Sequence, residues 1–158
     1  MKRRAIIEII CSLLAILFVY TGLTKLFNYS EFRFQLGRSP FVQPIAGLIS
    51  DTLPAFELIV VLLLTIRYTR LVGLYASFFL MVLFTGYIWA MLHYSYYVPC
   101  SCGGILEELT WNDHLLLNSA YTVLSFIGIV LQAKENSVRS EVGVNVNTTT
   151  YGTNSLLQ

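Results

Sequence analysis

Few side chains in this sequence can move protons, electrons or metals, and two of them stand almost together. Cys100 and Cys102 are separated by one residue in the run Tyr96-Tyr97-Val98-Pro99-Cys100-Ser101-Cys102-Gly103-Gly104-Ile105-Leu106-Glu107-Glu108. A Cys-x-Cys disulfide closes a very small ring, so its geometry is demanding. Strained disulfides have more oxidising potentials and are the labile or catalytic ones. Gly103-Gly104 gives the backbone the freedom such a turn needs. Ile105 to Leu109 can open a short helix, and a thiolate just before a helix N-terminus is stabilised. Glu107 and Glu108 oppose that effect. Three readings stand: a redox-active pair, a structural bridge or inert thiols, and a metal site. Two thiolates fall short of a four-ligand zinc shell. No standard spacing joins them to His93, His114, Glu107 or Glu108, so no metal is assigned.

Three further residues matter. His114 follows Thr110-Trp111-Asn112-Asp113, whose Thr-x-x-Asp spacing is like a capping box. In a first helical turn it could transfer protons near neutral pH, or simply bond to backbone or water. Glu57 lies inside an apolar run, where an ionisable group is costly and usually faces the bundle interior. It is expected either protonated or paired with Lys25. Its candidate roles are proton carrier, hydrogen-bond partner of a quinone, or polar clamp between helices. Cys11 sits among apolar residues, behaves as a small hydrophobe and takes no redox role.

The elements that hold these residues follow from composition. Of 158 residues, 56% are hydrophobic and only 12% charged, with a mean hydropathy of +0.66. Soluble domains are about 45–50% apolar and about 25% charged. A water-soluble surface cannot be covered here, which excludes an ordinary cytosolic enzyme. A net charge of +1 gives no reason to expect a nucleic-acid partner. The partner to expect is a lipid bilayer.

Four runs have the composition of membrane helices, which need about 17–25 mostly apolar residues. They cover 5–24, 53–66, 71–92 and 115–133. The second is short, with Asp51 or Thr52 placed to cap it and Pro54 in its first turn. The first lacks a small-residue cleavage site and reads as a retained helix. Gly73 and Ser77 have the small-xxx-small spacing of close helix contact. Aromatics from Tyr75 to Trp89 suit packing and interface belts. In the segment 27–50, Phe32 and Leu36, then Phe41, Ile45 and Leu48, recur at helical spacing. They predict one or two short helices lying in the interface. The fold class is therefore all-α: a polytopic four-helix membrane bundle over 1–134. The polar stretch 135–158 is expected to be a disordered cytoplasmic tail.

Orientation follows from basic residues in short loops. With the N-terminus inside, Lys2, Arg3, Arg4, Arg67, Arg70, Lys134 and Arg139 face the cytoplasm. Only Lys25, Arg33 and Arg38 then lie outside. The expectation is N-in and C-in, with the Cys-x-Cys loop outside, where disulfides persist.

The pattern resembles the MauE/DoxX superfamily of bacterial membrane proteins. The matching pieces are Tyr20-Thr21-Gly22-Leu23-Thr24-Lys25-Leu26, Pro54-x-x-Glu57, and Cys100-Ser101-Cys102-Gly103-Gly104 followed by Trp111-Asn112-Asp113-His114. The resemblance covers about residues 5 to 133. It implies a protein of the cytoplasmic membrane linked to disulfide formation in periplasmic partners, as in maturation of methylamine dehydrogenase. A related branch is the membrane subunit of thiosulfate:quinone oxidoreductase. The leading expectation is thiol–disulfide exchange through Cys100 and Cys102, with electrons passing to another carrier such as a quinone near Glu57. The chain has only Cys11 left over, so a relay through a second cysteine pair is absent. The rival expectation is a non-catalytic subunit or assembly factor whose loop bridge only holds shape.

Overall fold

A computed structural model of the chain describes residues 2–39, 41–94 and 111–154. The described residues form five α-helices: α1 (Lys2–Phe27), α2 (Tyr29–Arg38), α3 (Ala46–Thr65), α4 (Arg70–Tyr94) and α5 (Trp111–Asn154). A 3₁₀ turn, Gln43–Ile45, leads into α3. No strand occurs among the described residues. Four stretches are long and apolar enough to cross a membrane: Arg3–Phe27, Gln43–Thr65, Arg70–Tyr94 and Asn112–Val138.

The spans alternate in direction. Arg67–Tyr68–Thr69 forms the tight link between α3 and α4. At that turn end, Arg4 near the start of α1 meets Glu135 of α5 at 2.6 Å, and Arg67 meets Glu8 of α1 at 3.6 Å. The other end gathers the end of α1, the short helix α2, the start of α3, the end of α4 and the start of α5. Neighbours around the bundle run α1, α3, α4, α5 and back to α1. The core between them holds Leu14, Phe18, Val60, Leu64 and Leu74, all essentially inaccessible. Cys11 is buried in the same cluster and is a free thiol.

Close approach depends on small residues where the sequence places them. A Cβ on Gly73 would lie 2.8 Å from the backbone nitrogen of Leu64 and 2.9 Å from the carbonyl carbon of Leu63. Only glycine lets α4 begin so close to the end of α3. One turn later, the buried Ser77 hydroxyl donates to the Gly73 carbonyl at 2.7 Å. Tyr75, Phe79 and Trp89 point outward from α4.

Three expectations change. The second span does not start at Leu53: α3 begins at Ala46, so Asp51 stands in the helix rather than at its cap. Pro54 is inside the helix. The extra turns pack against α2. Phe32 and Leu36 bury against Ala46, and the Tyr29 hydroxyl donates to the Asp51 carboxylate. The apolar series of the 27–50 segment also divides. Phe32 and Leu36 face inward, whereas Phe41, Ile45 and Leu48 are exposed, and Leu48 already belongs to α3. At the other terminus, α5 runs on to Asn154, so the backbone is helical through most of the stretch that composition reads as disordered. Once a helix is nucleated, adding residues to its end costs far less than starting one.

Candidate functional site

The α2 end concentrates the buried polar chemistry. Lys25 sits in the last turn of α1. Its ammonium donates to Oε1 of Glu57 on α3 at 2.7 Å. The two side chains are 7% and 0% exposed. The pairing expected from sequence is therefore present, and Glu57 faces other helices. It lies 11 residues along α3 from Ala46, about 16 Å at 1.5 Å per residue. Gly22, one turn before Lys25, faces it: a Cβ there would lie in ordinary contact, 3.4 Å from Glu57 Oε2.

The surroundings of the pair are mostly apolar. The Lys25 nitrogen lies 5.8 Å from the centre of the Phe32 ring and 5.4 Å from that of Phe84. These distances fall within the range at which an aromatic face attracts a cation. Thr21 lies beside the Glu57 carboxyl. Its hydroxyl points to the Phe18 carbonyl oxygen at 3.5 Å. Among the described residues, Oε2 of Glu57 has no hydrogen-bond partner. A carboxylate offers about four acceptor positions, so this one is under-used in a place where unmet hydrogen bonds are expensive.

His114 joins the cluster from the first turn of α5. It is 5% exposed and lies within electrostatic range of Lys25. Asn118, one turn further on, is also buried. The three helices α1, α3 and α5 thus bring Lys25, Glu57 and His114 together. Cys100 and Cys102 lie outside the described residues, as do Gly103, Gly104, Glu107 and Glu108. The segment that carries them joins α4 at Tyr94 to α5 at Trp111, both at the α2 end.

Two polar arrangements at this end went unread in the sequence. The Tyr87 hydroxyl donates to Ser39 Oγ at 3.1 Å, and Ser39 in turn donates to the Met91 sulfur at 3.5 Å. Ser39 is wholly buried where α2 stops. On the outside of α2, Arg33 donates to the Tyr29 oxygen at 3.4 Å, extending the Tyr29–Asp51 link. The only sequence signal for the first arrangement is a serine and a tyrosine inside apolar surroundings, which is too common to single out. Lys25 is read from sequence only as a counter-ion, although it stands at the centre of the cluster.

Among the described residues, no group of three His, Cys, Asp or Glu gathers at one point. Within those residues the arrangement offers one cation, one carboxylate with an oxygen that has no hydrogen-bond partner there, and one imidazole, all buried. Such a set can hold and pass protons, or give hydrogen bonds to a polar ligand head.

No curated protein and no solved structure gives a significant match. The family model described as methylamine utilisation protein MauE matches residues 3–131. That match takes in Lys25, Glu57, Cys100, Cys102 and His114 and stops seven residues short of the end of the last span at Val138. The chain is a multi-pass membrane protein and belongs to the MauE family.

Proposed function

We propose that this chain is a thiol–disulfide redox protein of the bacterial cytoplasmic membrane, acting on a periplasmic partner through Cys100 and Cys102. One observation supports the reading above others. The segment that bears both cysteines springs from the same end of the bundle as the buried Lys25, Glu57 and His114. The partner proposed is a protein of methylamine utilisation that acquires disulfides during maturation; the family's description supports the methylamine link alone.

The exchange balances as follows. A partner thiolate attacks one sulfur of the Cys100–Cys102 disulfide, forming a mixed disulfide and releasing the other cysteine as a thiol. A second partner thiolate then displaces the remaining cysteine. The partner gains a disulfide, and the chain gains two electrons and two protons as two thiols. An acceptor of the quinone class, when bound, supplies the sink for those electrons and protons. The Lys25 ammonium would give a quinone carbonyl a hydrogen bond, beside the rings of Phe32 and Phe84.

Orientation follows from the basic residues. Lys25 is spent in a buried ion pair, so the outer basic count falls from three to two, Arg33 and Arg38, against seven inside. The N-in, C-in arrangement then places the cysteine loop in the periplasm, with α2 lying at the outer interface.

The test is trapping. Cys100→Ser should leave Cys102 linked to its partner as a mixed disulfide, recovered from mild detergent and identified by mass spectrometry. If no adduct forms with either single serine variant and the double serine variant functions normally, the redox role fails. A non-catalytic assembly role would then account for the chain.

A further inference from the structure

We propose that Lys25 and Glu57 form a proton-exchange pair that converts between ammonium–carboxylate and amine–carboxylic acid. The exchange stands on the geometry of the pair. Its use in the thiol–disulfide cycle, which moves two protons with every two electrons, rests on the function proposed above.

The pair is poised rather than locked. Nζ and Oε1 are 2.7 Å apart, so a proton can cross without either heavy atom moving. The charged form places two ions in a bundle interior where they are 7% and 0% exposed, and desolvation opposes it. It also leaves Oε2 of Glu57 with no hydrogen bond among the described residues. The exchanged form carries no charge and removes the desolvation cost. Two features pull the other way. The rings of Phe32 and Phe84 favour a cation at Lys25. The carbonyl end of α1, two residues beyond Lys25, does the same. These opposed influences keep both forms within reach.

Among the described residues, few groups face the pair. Lys25 and Thr21 on α1 lie against Glu57. From α5, the buried His114 lies within electrostatic range of Lys25. From α4, Phe84 contributes a ring and no charge. His114 is buried, but Asn112 and Asp113 beside it are exposed. In the exchange, the Lys25 ammonium gives its proton to the Glu57 carboxylate, leaving an amine and an acid; the reverse transfer restores the two ions, and no net proton is gained or lost.

The experiment uses full-length protein in phospholipid vesicles, with carbon-13 in the glutamate side-chain carboxyls. Infrared spectra are taken across the pH range in which the chain stays folded, and Glu57→Gln assigns the Glu57 band. The wild type is expected to show a carboxylic-acid carbonyl band from Glu57. Lys25→Arg keeps the positive charge but cannot surrender a proton, so the band should vanish at the same pH. A wild type with Glu57 purely as carboxylate throughout, or a band of equal strength in Lys25→Arg, overturns the proposal. If the arginine variant does not fold, nitrogen-15 lysine labelling decides. The chain has only three lysines, Lys2, Lys25 and Lys134. One signal should become an amine in step with the acid band, and three constant ammonium signals overturn the exchange. The band should persist in the Cys100→Ser/Cys102→Ser double variant, and its loss there would show that the pair does not exchange independently. Failure of the redox role and failure of the exchange are thus read separately.

Discussion

The Lys25–Glu57 pair makes a sharp prediction about stability. Lys25→Met strands a carboxylate that is 0% exposed. Removing one partner of a buried ion pair costs about 3–5 kcal/mol. Glu57→Leu strands the ammonium instead. Lys25 lies in the last turn of α1, so its long chain can turn toward water, and the loss should be smaller than for Lys25→Met. The double variant Lys25→Met/Glu57→Leu removes both charges and fills the site with apolar atoms. Such replacements are typically neutral or stabilising by about 1–4 kcal/mol. The double-mutant cycle should therefore show a coupling of at least about 3 kcal/mol. Unfolding in mixed micelles by increasing sodium dodecyl sulfate, followed by circular dichroism, measures all four corners of the cycle. Single-variant costs that simply add, or that both stay below about 1 kcal/mol, would refute a dry, paired site. A stable double variant that has lost function would separate chemistry from architecture.

Other outcomes follow from contacts elsewhere. Gly73→Ala drives a Cβ to 2.8 Å from backbone and should cost about 1–3 kcal/mol in the same unfolding assay. Gly128→Ala meets only the ends of Leu74 and Ile10 at 2.9 and 3.1 Å, and should cost less. Gly86→Ala has nothing within 4 Å and should stabilise α4 by up to about 1 kcal/mol. Tyr87→Phe removes the donor to the buried Ser39 oxygen and should cost about 0.5–1.5 kcal/mol. After reduction, a membrane-impermeant maleimide should label Cys100 or Cys102 in intact spheroplasts; labelling only after lysis would reverse the proposed orientation.

Hydropathy made the four spans legible because a bilayer imposes a length and a composition on each one. The start of α3 was hidden for the same reason. Ala46 to Thr52 contains Ser50 and Asp51, and Pro54 follows, so the local signal reads as a boundary. What keeps that stretch helical is tertiary: Phe32, Leu36 and Tyr29 of α2 pack on it. The Glu57–Lys25 pairing was legible because a carboxylate in an apolar run needs a partner, and Lys25 was the basic residue at the matching depth. The position of His114 beside them was not, since it depends on α5 packing next to α1. The Ser39–Tyr87–Met91 contacts join α2 to α4 through residue types that carry no pattern of their own.

The two ends of the bundle differ in a way that bears on function. Helices in lipid gain little from apolar contact with one another, so packing and polar links decide their order. At the turn end the links are wet. Arg4 and Glu135 are 72% and 25% exposed, and Arg67 and Glu8 are 82% and 52% exposed. Exposed pairs of this kind contribute little and fade with salt. At the α2 end the link between α1 and α3 is dry and incompletely satisfied. A protein needing only a fastener there could use apolar side chains of the same volume at no cost in stability. A buried cation, a carboxylate with a spare oxygen and an imidazole are a poor choice for fastening and a suitable one for handling protons. The same end carries the segment with Cys100 and Cys102, and the exchange proposed for them would release and consume protons. That coincidence is the strongest argument that the ion pair serves a reaction rather than the fold.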